Sequence, residues 1–155
     1  MQISSGKLFW LVVLRVMIGW HFLYEGIVKL TNPNWTSVGY LMDSQGYFRE
    51  YFYSLAANPD TVRLIDLLNI WGLIAIGLGL ILGLFGRIAT YAGVLLLAAY
   101  YLSHPACYWL TYAVPGEGNY LFVNKVLIEM VTLIVLSLFP TSRRIGIDRL
   151  IFGKK

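Results

Sequence analysis

The chain has 155 residues, of which 58% are hydrophobic and only 13% charged, and its mean hydropathy is +0.67. Soluble domains carry about 25% charge, so this composition excludes an ordinary soluble domain and predicts a single transmembrane domain over residues 1–155. The net charge of +4 includes no basic run dense enough to hold nucleic acid, and the lone Cys107 excludes an intramolecular disulfide or a C-x-x-C exchange site.

Residues 8–30 form the first expected span, LFWLVVLRVMIGWHFLYEGIVKL. At about 100° per residue, Arg15, His21, Glu25 and Lys29 fall within roughly one third of its circumference. Charge inside hydrocarbon is costly, so such a stripe should face protein or a water-filled cavity and marks a functional-site hypothesis. The preceding MQISSGK leads straight into this segment without a small-residue cleavage site, which favours a retained span over a cleaved signal.

Residues 31–66 are read as an outer loop. Asn32-Pro33 breaks the helix, and the aromatic-rich stretch beyond it predicts short interfacial helices, as an aromatic belt or as a lid. A second span is expected over 67–85. Its Gly72, Gly79, Gly83 and Gly86 project onto an arc of roughly 60°, a strip on which a neighbouring backbone can approach closely. Arg87 follows at a short turn, so spans two and three form a hairpin. The third span, 88–103, stops before His104-Pro105, and Pro115-Gly116-Glu117-Gly118 reads as a turn.

The fourth span, 120–139, contains Asn124, Lys125 and Glu129, the last two sharing a face at i, i+4. A basic tail, 141–155, follows Pro140. Four spans give an all-α integral membrane four-helix bundle. Lys7, Arg87, Arg143, Arg144, Arg149, Lys154 and Lys155 then share one side, against Arg49 and Arg63 on the other. By the positive-inside rule both termini are cytoplasmic.

Depth completes the pattern. At about 1.5 Å per residue from the cytoplasmic edge, Arg15 lies at about 12 Å, Glu129 at about 16 Å, and His21, His104, Asn124 and Lys125 at about 21–24 Å. Polar groups thus gather in the outer half. The levels pair Arg15 with Glu129 and Glu25 with Lys125, with His21 between. Two readings stay open. The charges are interhelical ion pairs that fix the bundle, or they line a pocket open to the outside. In the second reading His21, Glu25, Lys125 and Glu129 handle protons or charge. Trp20, Tyr24, Asn69, Trp71, Tyr100, His104 and Asn124 line the pocket, and Arg15 and Lys29 serve as structural ion-pair partners. No residue pattern indicates a metal, haem or nucleotide cofactor.

The segments LRVMIGWHFLYEGIVKL, GLIAIGLGLILGLFGRIAT and NYLFVNKVLIEMVTLIVLSLFPTSRRIGIDRL resemble the DoxX/DoxD-like family of small four-span membrane proteins. The family takes its name from the membrane subunit of an archaeal thiosulfate:quinone oxidoreductase. By position, His21, Glu25 and Lys29 match the polar stripe of the family's first span, and Gly83, Gly86 and Arg87 its hairpin turn. The resemblance implies a quinone-linked oxidoreductase subunit in a bacterial inner membrane. Such a subunit would need a partner redox subunit or an outer-face electron donor, because the residues suggest no redox group held by this chain alone. The alternative is a non-enzymatic binding, transport or assembly module, monomeric or homo-oligomeric, that holds a lipid or small solute.

Overall fold

The computed structural model describes residues 4–107, 109–113 and 120–153; the expected turn at 115–118 and Lys154 and Lys155 lie outside them. The described chain is helical, apart from one bridge between Tyr120 and Val123. Four longer helices form the body: α1 (Ser5–Thr31), α4 (Pro59–Leu82), α5 (Gly86–Ser103) and α6 (Lys125–Leu138). Two short helices, α2 (Val38–Met42) and α3 (Arg49–Ala56), lie between α1 and α4. A 3-10 turn (Thr141–Arg143) and α7 (Asp148–Phe152) close the C-terminal side.

The helix ends have local causes. Asn58 caps α4, its side chain accepting from Asp60 N and Thr61 N, and Pro59 occupies the first helical position. This cap starts the helix at Pro59 rather than at residue 67. Gly83 ends α4 in the left-handed region (φ 61°). Asn124 caps α6 by accepting from Leu127 N at 3.0 Å. Residues 120–123 are consumed by a tight turn with Leu121 at φ 64°, so α6 begins at Lys125 and not at residue 120. The helix is therefore 14 residues long, about 21 Å.

Among the described residues, only α1 and α4, at 27 and 24 residues, are long and apolar enough by themselves to cross a membrane. Their outward faces, with those of α5 and α6, expose a belt of large apolar side chains including Met17, Leu68, Leu95 and Leu138. Inside, Ile18, Phe22, Leu73, Ile76, Leu80, Ala89, Leu97, Leu133 and Leu136 make one core. The helices are arranged in the cyclic order α1, α4, α5, α6. Close packing joins α1 to α4, α4 to α5 and α5 to α6, while α1 and α6 barely touch.

Small residues explain the tightest contact, though not the expected strip. A Cβ on Gly77 would lie 2.5 Å from Leu23 N and 2.7 Å from Gly19 O; Gly19 and Gly26 present the matching α1 surface. Gly72 has nothing within 4 Å of that position, and Gly79 faces Ala89 of α5. The strip is thus divided. Gly77, about 140° from Gly72 around the helix, carries the α1 contact instead.

Candidate functional site

A cavity of about 750 Å³ opens inside the bundle, towards the end where α1 stops and α4 starts. This lies within the roughly 300–1,000 Å³ range of small-molecule sites. Nine of the residues singled out from sequence line it: His21, Glu25, Lys29, Asn69, Tyr100, His104, Asn124, Lys125 and Glu129. They come from α1, α4, α5 and α6 and their caps. Phe22, Leu73 and Leu97 close the cavity on its core side.

The pairing differs from the depth argument. His21 Nδ1 lies 2.9 Å from Glu129 Oε1, off the line of a well-formed hydrogen bond. Glu25 pairs with Lys29 at 2.6 Å, one turn along its own helix, and is also attracted by Lys125, which borders the same cavity. Arg15 does not meet Glu129. It stands six residues before His21, at the other edge of the stripe about 120° away, and so points to a different corner. There its guanidinium donates to Thr141 Oγ1 at 3.0 Å and to Ile145 O at 2.9 Å. Level alone did not reveal these partners, because helix rotation decides which neighbour a side chain meets.

Three proposed wall residues lie outside the cavity. Trp20, Tyr24 and Trp71 are 61%, 56% and 56% exposed on the outer surface. The inward faces are set by Ile18, Phe22 and Gly26 on α1 and by Asn69, Leu73 and Ile76 on α4. Trp71 lies two residues, about 200°, from Asn69 and therefore faces the opposite way.

The loop supplies aromatic groups that sequence reasoning noted only collectively. Trp35, Ser37, Tyr40 and Tyr112 line the cavity. Tyr40 of α2 stacks on His104 at 3.8 Å between centroids, and Tyr112 lies 4.6 Å from the same imidazole. Asp66 of α4 anchors this roof by accepting from Ser37 N at 2.8 Å. Gln45 Nε2 donates to Thr111 O, and Asp43 Oδ1 accepts from Ala113 N at 3.0 Å, which ties α2 to the segment 109–113. Alternation of aromatic and small polar residues in 35–53 was the available signal, but it does not specify which ring turns inward.

Burial governs the titration of the roof. It pushes the Tyr40 hydroxyl well above the tyrosine range, with Tyr100, Tyr112 and Asp43 adding to the effect. Burial likewise raises Tyr112 to about 12. Both stay neutral hydrogen-bonding groups, and Tyr112 donates to Pro105 O at 2.8 Å. His104 is held below the ordinary histidine value by burial, against the pull of Asp43, whose Oδ2 lies 3.7 Å from Nε2.

Five buried polar atoms on cavity-lining residues have no hydrogen-bond partner: both ring nitrogens of His21, Asn69 Oδ1, Ser37 Oγ and His104 Nε2. Asn69 already uses its amide nitrogen on Tyr100 Oη at 2.7 Å. Buried polar atoms are nearly always satisfied, so it is notable that these exceptions cluster on residues around one cavity. Among the described residues no three His, Cys, Asp or Glu side chains are grouped to hold a metal.

The opposite corner forms a second polar centre. Asp148 accepts from Phe85 N at 2.7 Å and Gly86 N at 2.9 Å, capping α5 from the far end of the chain. Burial opposes its ionisation, but the Gly86 N–H, the Ser142 hydroxyl and the Phe85 N–H together hold its carboxyl below the usual range. Nothing in the tail sequence beyond a lone acid marked this role.

The DoxX family profile matches residues 10–105. The match takes in the loop 31–66, which the sequence resemblance had left aside, and stops before Lys125 and Glu129. Neither the curated proteins nor the solved structures gave a match. Profile and apolar helices together point to a membrane protein. The match covers more than half of the sequence, from α1 through α5, and the chain belongs to the DoxX family.

Proposed function

We propose that the chain is the membrane subunit of a quinone-linked oxidoreductase and that its cavity receives the quinone head. One observation carries this reading: polar and ionisable residues of four helices, His21 and Asn69 with their unpaired buried atoms among them, line a single cavity with apolar walls. A quinone head calls for such walls, polar atoms at its ring oxygens and a protonatable group beside them. Phe22, Leu73 and Leu97 supply the walls, and Lys125 on the same lining is a donor suited to a ring oxygen. When bound, a quinone supplies reversible uptake of electrons and protons.

The chain's own part is proton handling and electrostatics. His21 holds or releases a proton at Nε2, while Glu129, 2.9 Å from Nδ1, stabilises the charged imidazole. Lys29 fixes the Glu25 carboxylate at 2.6 Å, and Lys125 offsets the two acids of the cavity. Electrons come from a partner redox subunit or a soluble donor on the roof side. In this reading α1, α4, α5 and α6 all cross a bacterial inner membrane, with α2 and α3 at the outer interface. Both termini are cytoplasmic, as the cation distribution supports.

The test is native mass spectrometry with lipid extraction on gently purified protein. A stoichiometric quinone, lost in Glu25→Ala and Lys125→Ala, is expected. A phospholipid in its place would overturn the redox reading. It would favour a non-enzymatic module that holds an anionic headgroup between Lys29 and Lys125, the two cations of the cavity wall.

A further inference from the structure

We infer that the cavity fills sideways, from the lipid phase, through the seam between α1 and α6, and that its ligand is a membrane-dissolved amphiphile with a flexible apolar tail. This deepens the reading above, on which it rests for the identity of the head, and adds the route in and the place of the tail.

On the core side the cavity ends at Phe22, Leu73 and Leu97, members of the packed core. Behind it stand α4 and α5, themselves in close contact, with Asn69 and Tyr100 joined by a 2.7 Å hydrogen bond. Above it lie α2 and residues 110–112, held by the Tyr40–His104–Tyr112 stack and by the anchors at Asp66 and Asp43. The remaining side is bounded by His21, Glu25 and Lys29 of α1 and by Lys125, Val126 and Glu129 of α6. These two helices are the neighbours that barely touch. Polar interactions bridge them at His21–Glu129, 2.9 Å apart, and through the attraction between Glu25 and Lys125.

The chemistry of the two flanks fits this direction. Outward residues of α1 (Met17, Tyr24, Val28) and of α6 (Ile128, Val131, Val135) are exposed and mostly apolar. A head arriving between the helices meets the charged lining, and its tail stays among apolar side chains at the seam. The α1–α4 contact offers no such passage, because Gly19, Gly26 and Gly77 bring those two backbones together.

Photolabelling decides the matter. The protein in phospholipid vesicles is given a fatty acid carrying a mid-chain diazirine, irradiated and mapped by mass spectrometry, with and without excess long-tailed quinone. Leu73 and Leu97 line the cavity and are only 3% and 4% exposed, whereas Leu95 is 71% exposed on the outer surface. Label on Leu73 and Leu97 as well as Leu95, with the first two lost when quinone is added, is the expected result. Inner label that quinone does not displace upholds the lateral route and overturns the quinone assignment. Label confined to Leu95 and other outward residues overturns the lateral route. Quenching of Trp35 emission by a short-tailed quinone, with Trp35→Phe as control, then reports whether the head site fills from water.

Discussion

Removing the Asp148 carboxylate tests whether the C-terminal tail is part of the fold. Asp148→Ala leaves the Phe85 and Gly86 N–H groups without their acceptor, at original distances of 2.7 and 2.9 Å. Hydrogen bonds to a charged group contribute about 1.5–3 kcal/mol each. Phe85 occupies the left-handed region (φ 49°), and relaxing it returns about 1–2 kcal/mol. The net loss is about 2–4 kcal/mol, or about 5–15 °C in unfolding midpoint at roughly 2–4 °C per kcal/mol for a chain of this size. Asp148→Asn keeps one acceptor and should lose about half as much. Scanning fluorimetry in detergent reads both.

The pH dependence supplies an internal control. The folded carboxyl titrates below its ordinary value, so its stabilisation is complete above about pH 4 and disappears as pH falls through the lowered value. Parent and Asp148→Ala midpoints should therefore converge in acid. An Asp148→Ala midpoint within about 1 °C of the parent at neutral pH would refute the assignment of a cap.

Other positions give sharper contrasts. Gly77→Ala places a methyl 2.5 Å from Leu23 N and should cost about 1–3 kcal/mol, whereas Gly72→Ala, with open space around it, should be neutral or stabilising by about 0.5–1 kcal/mol. Equal midpoints for the two variants would contradict backbone contact between α1 and α4. Acidification should loosen the roof: His104 titrates below its ordinary value when folded, so stability present above about pH 6.5 is lost as pH falls through the lowered value. Hydrogen exchange over residues 109–113 should then rise in the parent and stay flat in His104→Gln; a rise in both would assign the effect elsewhere. Trp35→Ala should reduce the bound small molecule, while Trp20→Ala and Trp71→Ala leave it unchanged, as extraction and mass spectrometry will read.

The all-helical character and the polar stripe of α1 were legible because hydropathy and the 3.6-residue period act through local geometry. The same period brings His21, Glu25 and Lys29 to one wall. Partners were harder to read. Glu25 forms its close pair with Lys29, one turn away, while Lys125 acts on it from another helix, and Arg15 turns to a tail whose fold no periodicity describes. The start of α6 moved to Lys125 because Asn124 is a cap, a role its side chain performs only once the preceding turn is built. Trp20, Tyr24 and Trp71 stand one or two positions from His21, Glu25 and Asn69 in sequence. A shift of one or two positions is enough to reverse the face of a helix. The roof was least legible, because the stack of Tyr40, His104 and Tyr112 joins residues of one loop to the end of α5 and beyond.

The cap on α5 also has a consequence in time. Phe85 and Gly86 turn α4 back into α5, yet the carboxylate that receives their N–H groups belongs to residue 148. A chain made from its N-terminus builds this hairpin long before Asp148 exists. Until then the left-handed Phe85 has no acceptor to hold it, and Arg15 lacks Thr141 and Ile145 as well. The near end of the bundle is therefore a keystone joint: α1, α4 and α5 can assemble early, but their shared corner locks only when the last helix arrives.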